Sequence, residues 1–238
     1  MGRPGSATVP GVATAALGGL VYATLQLLGR RAGSTRAERG AALPGDHVVR
    51  RPLIVTDHAV TIDAPPDRVW PWLTQMGWHR GGWYTPRWVD LLLFPANRPS
   101  LDRLDPALVR DLRPGDVVPD GPPGTAFFEV VVAEPSSVLV LHSTTHLPAS
   151  WRGRVGARID WTWVFVLVPL AGGRTRLHLR VRGRVSPWWL ALAYVAALVP
   201  ADYVMALGML RGIAQRVEHT TSQGQPHPAP RRQEALSS

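Results

Sequence analysis

Residues 158 to 185, "RIDWTWVFVLVPLAGGRTRLHLRVRGRV", read as one long β-hairpin. Two strand-like runs flank the turn "LAGGRT" (Leu170 to Thr175), whose paired glycines suit a tight reversal. A hairpin this long commits the chain to an antiparallel sheet and rules out an all-helical fold. In the second strand Arg176, His178, Arg180, Arg182 and Arg184 share one face, and Leu177, Leu179 and Val181 lie on the other. A solvated outer face is the ordinary reading of such a basic row, and contact with anionic headgroups is the alternative in a membrane-tethered chain. The first strand puts Ile159, Trp161, Trp163, Phe165 and Leu167 on one face and Asp160, Thr162, Val164, Val166 and Val168 on the other. Both faces are largely apolar, so the pattern leaves open which one looks inward.

The remaining segments fit around that hairpin. "HAVTID" (58 to 63) alternates as a half-buried strand does, and "APPDRVWPWLTQM" (64 to 76) starts a helix with prolines in its first turn. Pro71 must distort that helix or shift its effective start. A second short helix is predicted from Pro86 to Phe94, and strands from "TAFFEVVVAEP" and "SVLVLHS" (125 to 143). Tyr203, Leu207, Leu210, Ile213 and Val217 recur at helical spacing, giving a terminal amphipathic helix from about Ala201 to His219. Ahead of it, Trp188 to Val199 is apolar almost all round and bounded by Pro187 and Pro200. It reads as an insertion: a buried helix, an interfacial helix anchored by Trp188 and Trp189, or half of a broken membrane segment. The polar, Pro-rich residues 220 to 238 read as a disordered tail. This order of elements is α+β.

The amino-terminal segment, residues 1 to 32, is predicted to be a membrane anchor. No charged side chain occurs from Pro4 to Gly29, and Val12 to Leu28 is helix-compatible. Arg30, Arg31, Arg36 and Arg39 follow it against Arg3 before it, which places the domain on the cytoplasmic side. A cleaved signal and a helix packed on the domain are the alternatives. Residues 33 to 54, with the turn "LPGD" (43 to 46), read as a linker, and the domain proper spans 55 to 219. The net charge of +9 comes from 26 basic residues that are all arginine. That bias fits GC-rich coding, and no nucleic-acid module accompanies it, so nucleic acid is not an expected partner and an anionic membrane surface is. The absence of cysteine excludes disulfides, a thiol nucleophile and Cys-ligated zinc.

Several stretches, in this order and spacing, carry a family likeness: "LPGD" (43 to 46), "VTIDAPPDRVWPWLTQMGWHRGGWYT" (60 to 85), "RPGD" (113 to 116), "TWVFVLVPLAGGRTRLHLRVRGR" (162 to 184) and "YVMALGMLRGIAQRVEH" (203 to 219). Through them the chain resembles the SRPBCC superfamily, the START/Bet v 1-like helix-grip proteins often labelled polyketide cyclase/dehydrase-like. The resemblance implies a curved antiparallel sheet wrapped around a long C-terminal helix, with an apolar cavity between them. It implies little about chemistry, because such folds host carriers, receptors and enzymes alike.

The densest candidate for a site is "GWHRGGWYT" (77 to 85), which in a helix-grip fold lies near the cavity entrance. It reads either as a pocket rim or as a folding motif whose rings fill a gap. Trp70, Leu73, Trp78, Trp83, Tyr84, Trp163, Leu207 and Leu210 are the expected ligand-binding residues, for a hydrophobic small molecule or lipid. In the competing enzyme reading, on a polyketide-like or aromatic substrate, His79, Arg80 or Tyr84 moves or polarises a proton. A third reading is a structural or assembly role at the membrane. His142 and His146 have the spacing of helical metal ligands but fall at a strand end, so neither a metal nor another cofactor is expected. No Ser/His/Asp arrangement is legible, and the oligomeric state is left open.

Overall fold

A computed structural model of the chain describes residues 9 to 93 and 99 to 222. Phe94 and the tail beyond Ser222 lie outside the described residues. The strands are β1 (Ile54–Ile62), β2 (Val117–Pro119), β3 (Phe127–Glu134), β4 (Val138–Ser143), β5 (Arg158–Leu170) and β6 (Arg174–Ser186). They form one antiparallel sheet in the order β1-β6-β5-β4-β3-β2. The β5–β6 hairpin is its longest pairing, running from Arg158 opposite Ser186 to Leu170 opposite Arg174. Among the described residues the helices are α1 (Val9–Arg31), α2 (Arg36–Gly40), α3 (Pro66–Thr74), α4 (Arg87–Leu93), α5 (Ala149–Val155) and α6 (Trp188–Ser222). The architecture is α+β, a curved sheet gripping a long C-terminal helix.

One face of the sheet closes on α3 and the second half of α6. Leu139, Leu141, Phe165, Leu177 and Leu179 from the sheet meet Trp72, Leu73 and Met76 around α3 and Met209, Leu210, Ile213 and Val217 of α6. Burying this many large apolar side chains, at about 1.5 to 3 kcal/mol each, is the main force holding helix to sheet. Pro71 sits inside α3, with prolines at the helix start too, so the element stays at nine residues.

Two expectations change in form. Trp188 to Val199 is the first third of one continuous 35-residue helix that carries Pro200 within it, and not a separate insertion. The apolar run keeps its helical neighbours on both sides of the proline, so the break read at Pro200 does not end the element. The amino-terminal helix also finds a partner. Tyr22 Oη donates to the Ala196 carbonyl at 3.0 Å and Gln26 Nε2 to the Val195 carbonyl at 3.0 Å, and a Cβ on Gly29 would overlap the Val199 carbonyl. The end of α1 therefore packs on α6, while residues 13 to 24 remain largely exposed. Among the described residues α6 is long and apolar enough to cross a bilayer, but half of it belongs to the core.

The basic row on β6 is largely covered, with only Arg184 at its end exposed. Residues 33 to 52, turn-rich as a linker is, lie across the opposite face of the sheet and cover it. Arg180 is 3% exposed and gives Nε to Asp57 at 2.8 Å, while its two terminal nitrogens reach Asp46 and the carbonyls of Glu38, Arg39 and Ala41. Arg176 pairs with Glu38 and Arg182 with Asp46. Arginine suits this work because its fork serves a carboxylate and several carbonyls at once.

Candidate functional site

The pleat of β5 decides which residues can face the gap between sheet and helix. Ile159, Trp161 and Trp163 project into a cavity of about 540 Å³, and Asp160 and Thr162 project away from it. Trp161 lies over Gly183 on β6, where any Cβ would collide with its ring, so the glycine creates the bed on which that wall residue rests. Phe128 of β3 and Trp83 pack against Trp163, with ring centroids 4.9 Å and 5.2 Å away. The other wall is one stripe of α6: Tyr194, Leu198, Asp202, Met205, Ala206 and Met209 recur at the three- and four-residue steps of a helix. Pro148, Ala149 and Arg152 of the α5 region and the 124 to 126 loop complete the lining.

Two carboxylates interrupt this apolar lining. Asp202 Oδ2 accepts from Thr56 Oγ1 and from His58 Nε2, the latter at 3.0 Å. His58 is fully buried and its Nδ1 meets no hydrogen-bond partner among the described residues. A second ring proton would be a buried donor without an acceptor, which costs more than an idle lone pair. A proton on Nε2 directed at Asp202 leaves Nδ1 as the idle lone pair, and part of the Asp202 side chain is open to the cavity. Asp120, from the turn after β2, is the second. Its Oδ2 lies 2.7 Å from His146 Nε2, and His146 Nδ1 lies 2.7 Å from Ser143 Oγ. With the Nε2 proton directed at Asp120, Nδ1 accepts the Ser143 hydroxyl, and Ser143 Oγ in turn accepts from the Thr145 N–H at 3.1 Å. Ser143 sits behind His146, buried and outside the cavity wall.

Of the residues expected to bind a ligand, Trp83 and Trp163 line the cavity. Leu73, Leu210 and Tyr84 are in the closed core, Trp70 packs against it from the side, and Leu207 is buried off the cavity stripe. Trp78 stacks on His79, which is exposed on the loop, 5.2 Å between ring centroids. The loop turns through positive φ at Gly77, His79, Gly82 and Tyr84, closed by a bridge between Gly77 and Gly82. Of this loop, Trp83 and Thr85 line the cavity.

Arg80 and Tyr84, weighed as proton-handling groups, are held by structural bonds instead. One terminal nitrogen of Arg80 donates to the carbonyls of Thr74 and Leu108, both at 2.8 Å, and burial, with Arg110 nearby, lowers the guanidinium to about 10. The Tyr84 hydroxyl donates to the Trp72 carbonyl at 3.1 Å and accepts from Gln75 Nε2 at 2.8 Å. Burial pushes its phenol well above the ordinary range, although the Gln75 bond opposes the shift. Neither residue lines the cavity.

Asp202 and Asp120 were not singled out from sequence. Asp202 had a signal: it is the sole charged residue between Arg184 and Arg211, in the most apolar part of the chain. Asp120 had none, since it reaches His146 across a turn in "PDGPPG" (119 to 124) that resembles an ordinary surface loop.

No family model and no curated protein matches the chain. Among solved structures it is similar to protein MLL2253 from Mesorhizobium loti, at 16% identity and a TM-score of 0.39, covering 70% of this chain and 98% of that one. A hypothetical protein from Helicobacter pylori is 10% identical with a TM-score of 0.46, over 74% of this chain and 95% of its own. CalU16 from Micromonospora echinospora is 18% identical with a TM-score of 0.32, over 71% of this chain and 86% of its own. Likeness at these identities concerns the fold alone.

Proposed function

We propose that the chain is a membrane-associated helix-grip protein of the SRPBCC type that holds a hydrophobic small molecule or lipid between its sheet and its C-terminal helix. The observation that carries this reading is the cavity itself: about 540 Å³, walled by Trp83, Phe128, Trp161, Trp163, Met205 and Met209. That size is within the range of small-molecule pockets, and apolar walls with a few fixed polar groups are what desolvate and orient such a ligand. The motifs shared with the superfamily support the same reading. The membrane part rests on α1, whose residues 13 to 24 are uncharged and exposed, followed by Arg30, Arg31, Arg36 and Arg39. That charge order favours a domain on the cytoplasmic side.

The test is saturable binding of Nile red, an uncharged apolar dye, to the full chain in mild detergent. Ala206 lies on the cavity stripe of α6, so Ala206→Trp fills the space from within. Dye affinity falls about tenfold or more in this variant while the circular dichroism spectrum is kept. Equal binding by both proteins would place the dye elsewhere and remove the basis of the proposal.

His146 paired to Asp120 in the same wall favours a second reading, proton transfer on a polyketide-like or aromatic substrate. Both ring nitrogens are engaged, by Asp120 and Ser143, so a substrate must displace the Ser143 hydroxyl before the imidazole can act. Binding requires no such rearrangement and is the better supported of the two.

A further inference from the structure

The geometry points to a cationic head on the ligand: the cavity selects an amphiphile bearing an ammonium group, seated against the Asp202 carboxylate with its tail among the tryptophans. This deepens the binding reading above and rests on it. Three features of the cavity carry the inference.

The first is charge. The Asp202 carboxylate engages Thr56 and His58 through Oδ2 and meets no arginine there, and His58 Nδ1 has no acceptor among the described residues that would favour a second ring proton. A carboxylate in an apolar wall lacks the solvation it has in water, so a cation that enters with the ligand is attracted more strongly there than at the surface. Asp120 places a second carboxylate in the same lining, its Oδ2 engaged by His146.

The second is the wall around these groups. Trp161, Trp163, Trp83 and Phe128 present aromatic rings to the cavity, and ring faces attract ammonium groups and leave carboxylates and alcohols without that benefit. Tryptophan is the best of the aromatic side chains for this purpose, and three of the four rings are tryptophans.

The third is where the opposing charge sits. Apart from His146, whose ring nitrogens are taken up by Asp120 and Ser143, the basic group in the lining is Arg152, on the solvent-exposed α5, whereas the side chains of Asp202 and Asp120 are only 19% and 14% exposed. An anionic head on Arg152 would leave both carboxylates facing an apolar tail. A cationic head on Asp202 leaves Arg152 in water.

The experiment compares three probes of one chain length, decyltrimethylammonium, decanol and decanoate, each below its micelle concentration, as competitors of Nile red on the full chain. The expected result is that the ammonium probe displaces the dye at about one tenth the concentration of the other two or less. Asp202→Asn then brings the ammonium probe level with decanol. Asp120→Asn is the second variant, in case loss of the His58 contact prevents folding, and it weakens the ammonium preference in the same direction. Equal displacement by all three probes, or a preference for decanoate, overturns the inference while leaving the cavity as a binding site. An ammonium preference that both variants retain in full also overturns it. Failure of every probe together with Nile red overturns the binding reading itself.

Discussion

Glu38 does two jobs with one carboxylate. It caps α2 by accepting the Thr35 N–H, and it accepts Arg176 Nε at 2.6 Å and a terminal nitrogen at 3.0 Å. The Arg176 bond is the larger cause that holds its pKa at about 2, below the ordinary 4.5, with the Thr35 bond adding to it against the cost of burial. A carboxylate lowered on folding stabilises the fold fully above the unfolded value and loses that contribution as the pH falls from about 4.5 through 2. Glu38→Gln keeps a side chain able to serve the capping box but removes the charge paired with Arg176. The variant is therefore expected to have a lower Tm than the parent at pH 6, with the difference shrinking between pH 4.5 and pH 2. Thermal melts of the two proteins across that range check it, and a constant difference would assign the effect to the cap rather than the ion pair. Gly183 is another residue whose role is set by one neighbour: it leaves room for the Trp161 ring, and through it for the cavity wall.

The element that most changes meaning between sequence and structure is β6. Its basic row ties the strand to β1 through Asp57 and to residues 38 to 46 chiefly through Arg180, with Arg176 and Arg182 fastening the same segment on either side. Arg180→Met removes the charge and keeps much of the bulk, but it strands Asp57, 5% exposed, beside His178 with no arginine. Breaking a buried pair in this way costs about 3 to 5 kcal/mol, and urea denaturation is expected to show a loss of that size. Arg176→Met, at the more open end of the row, is expected to cost about 1 kcal/mol or less. Equal losses would mean that the row acts as a solvated stripe after all. The strands other than β2, the α3 and α4 helices and the terminal helix were legible because apolar periodicity follows local geometry. Burial of the basic row was not, because alternation shows that Arg176, His178 and Arg180 share a face without showing what covers that face. The candidate site was less legible still. Trp83 and Trp163 could be picked out as large rings near the gap, but the direction of each side chain in 77 to 84 depends on left-handed backbone at His79 and Tyr84, which composition does not display. Asp202 meets His58 across 144 residues, a pairing that exists only once α6 lies across the sheet.

At the scale of the whole molecule, a compact α+β body carries an apolar protrusion. Leu17, Leu20 and Val21 on α1 are 62%, 65% and 50% exposed, and Trp188 and Leu192 at the start of α6 are 77% and 63% exposed. Because Gln26 bonds to Val195 and Gly29 abuts Val199, these two sets belong to neighbouring helices rather than to unrelated parts of the surface. Apolar exposure on this scale marks a surface that meets another apolar phase. In the membrane reading, α1 enters the bilayer and the arginines that follow it rest at the headgroups. Leu20→Asp tests this without touching the core, since the side chain is open to solvent. An acidic residue at the centre of an inserted helix costs about 3 kcal/mol, which is about a hundredfold in partitioning. Flotation of the full chain with vesicles of phosphatidylcholine and phosphatidylglycerol is expected to carry the parent protein upward and leave the Leu20→Asp variant at the bottom. Raising the salt should weaken the arginine contribution while leaving most of the parent bound, because screening acts on the headgroup contacts and not on apolar insertion. Full release of the parent by salt, or flotation of the variant like the parent, would instead make the association electrostatic and leave α1 as a helix that packs on α6 and goes no further.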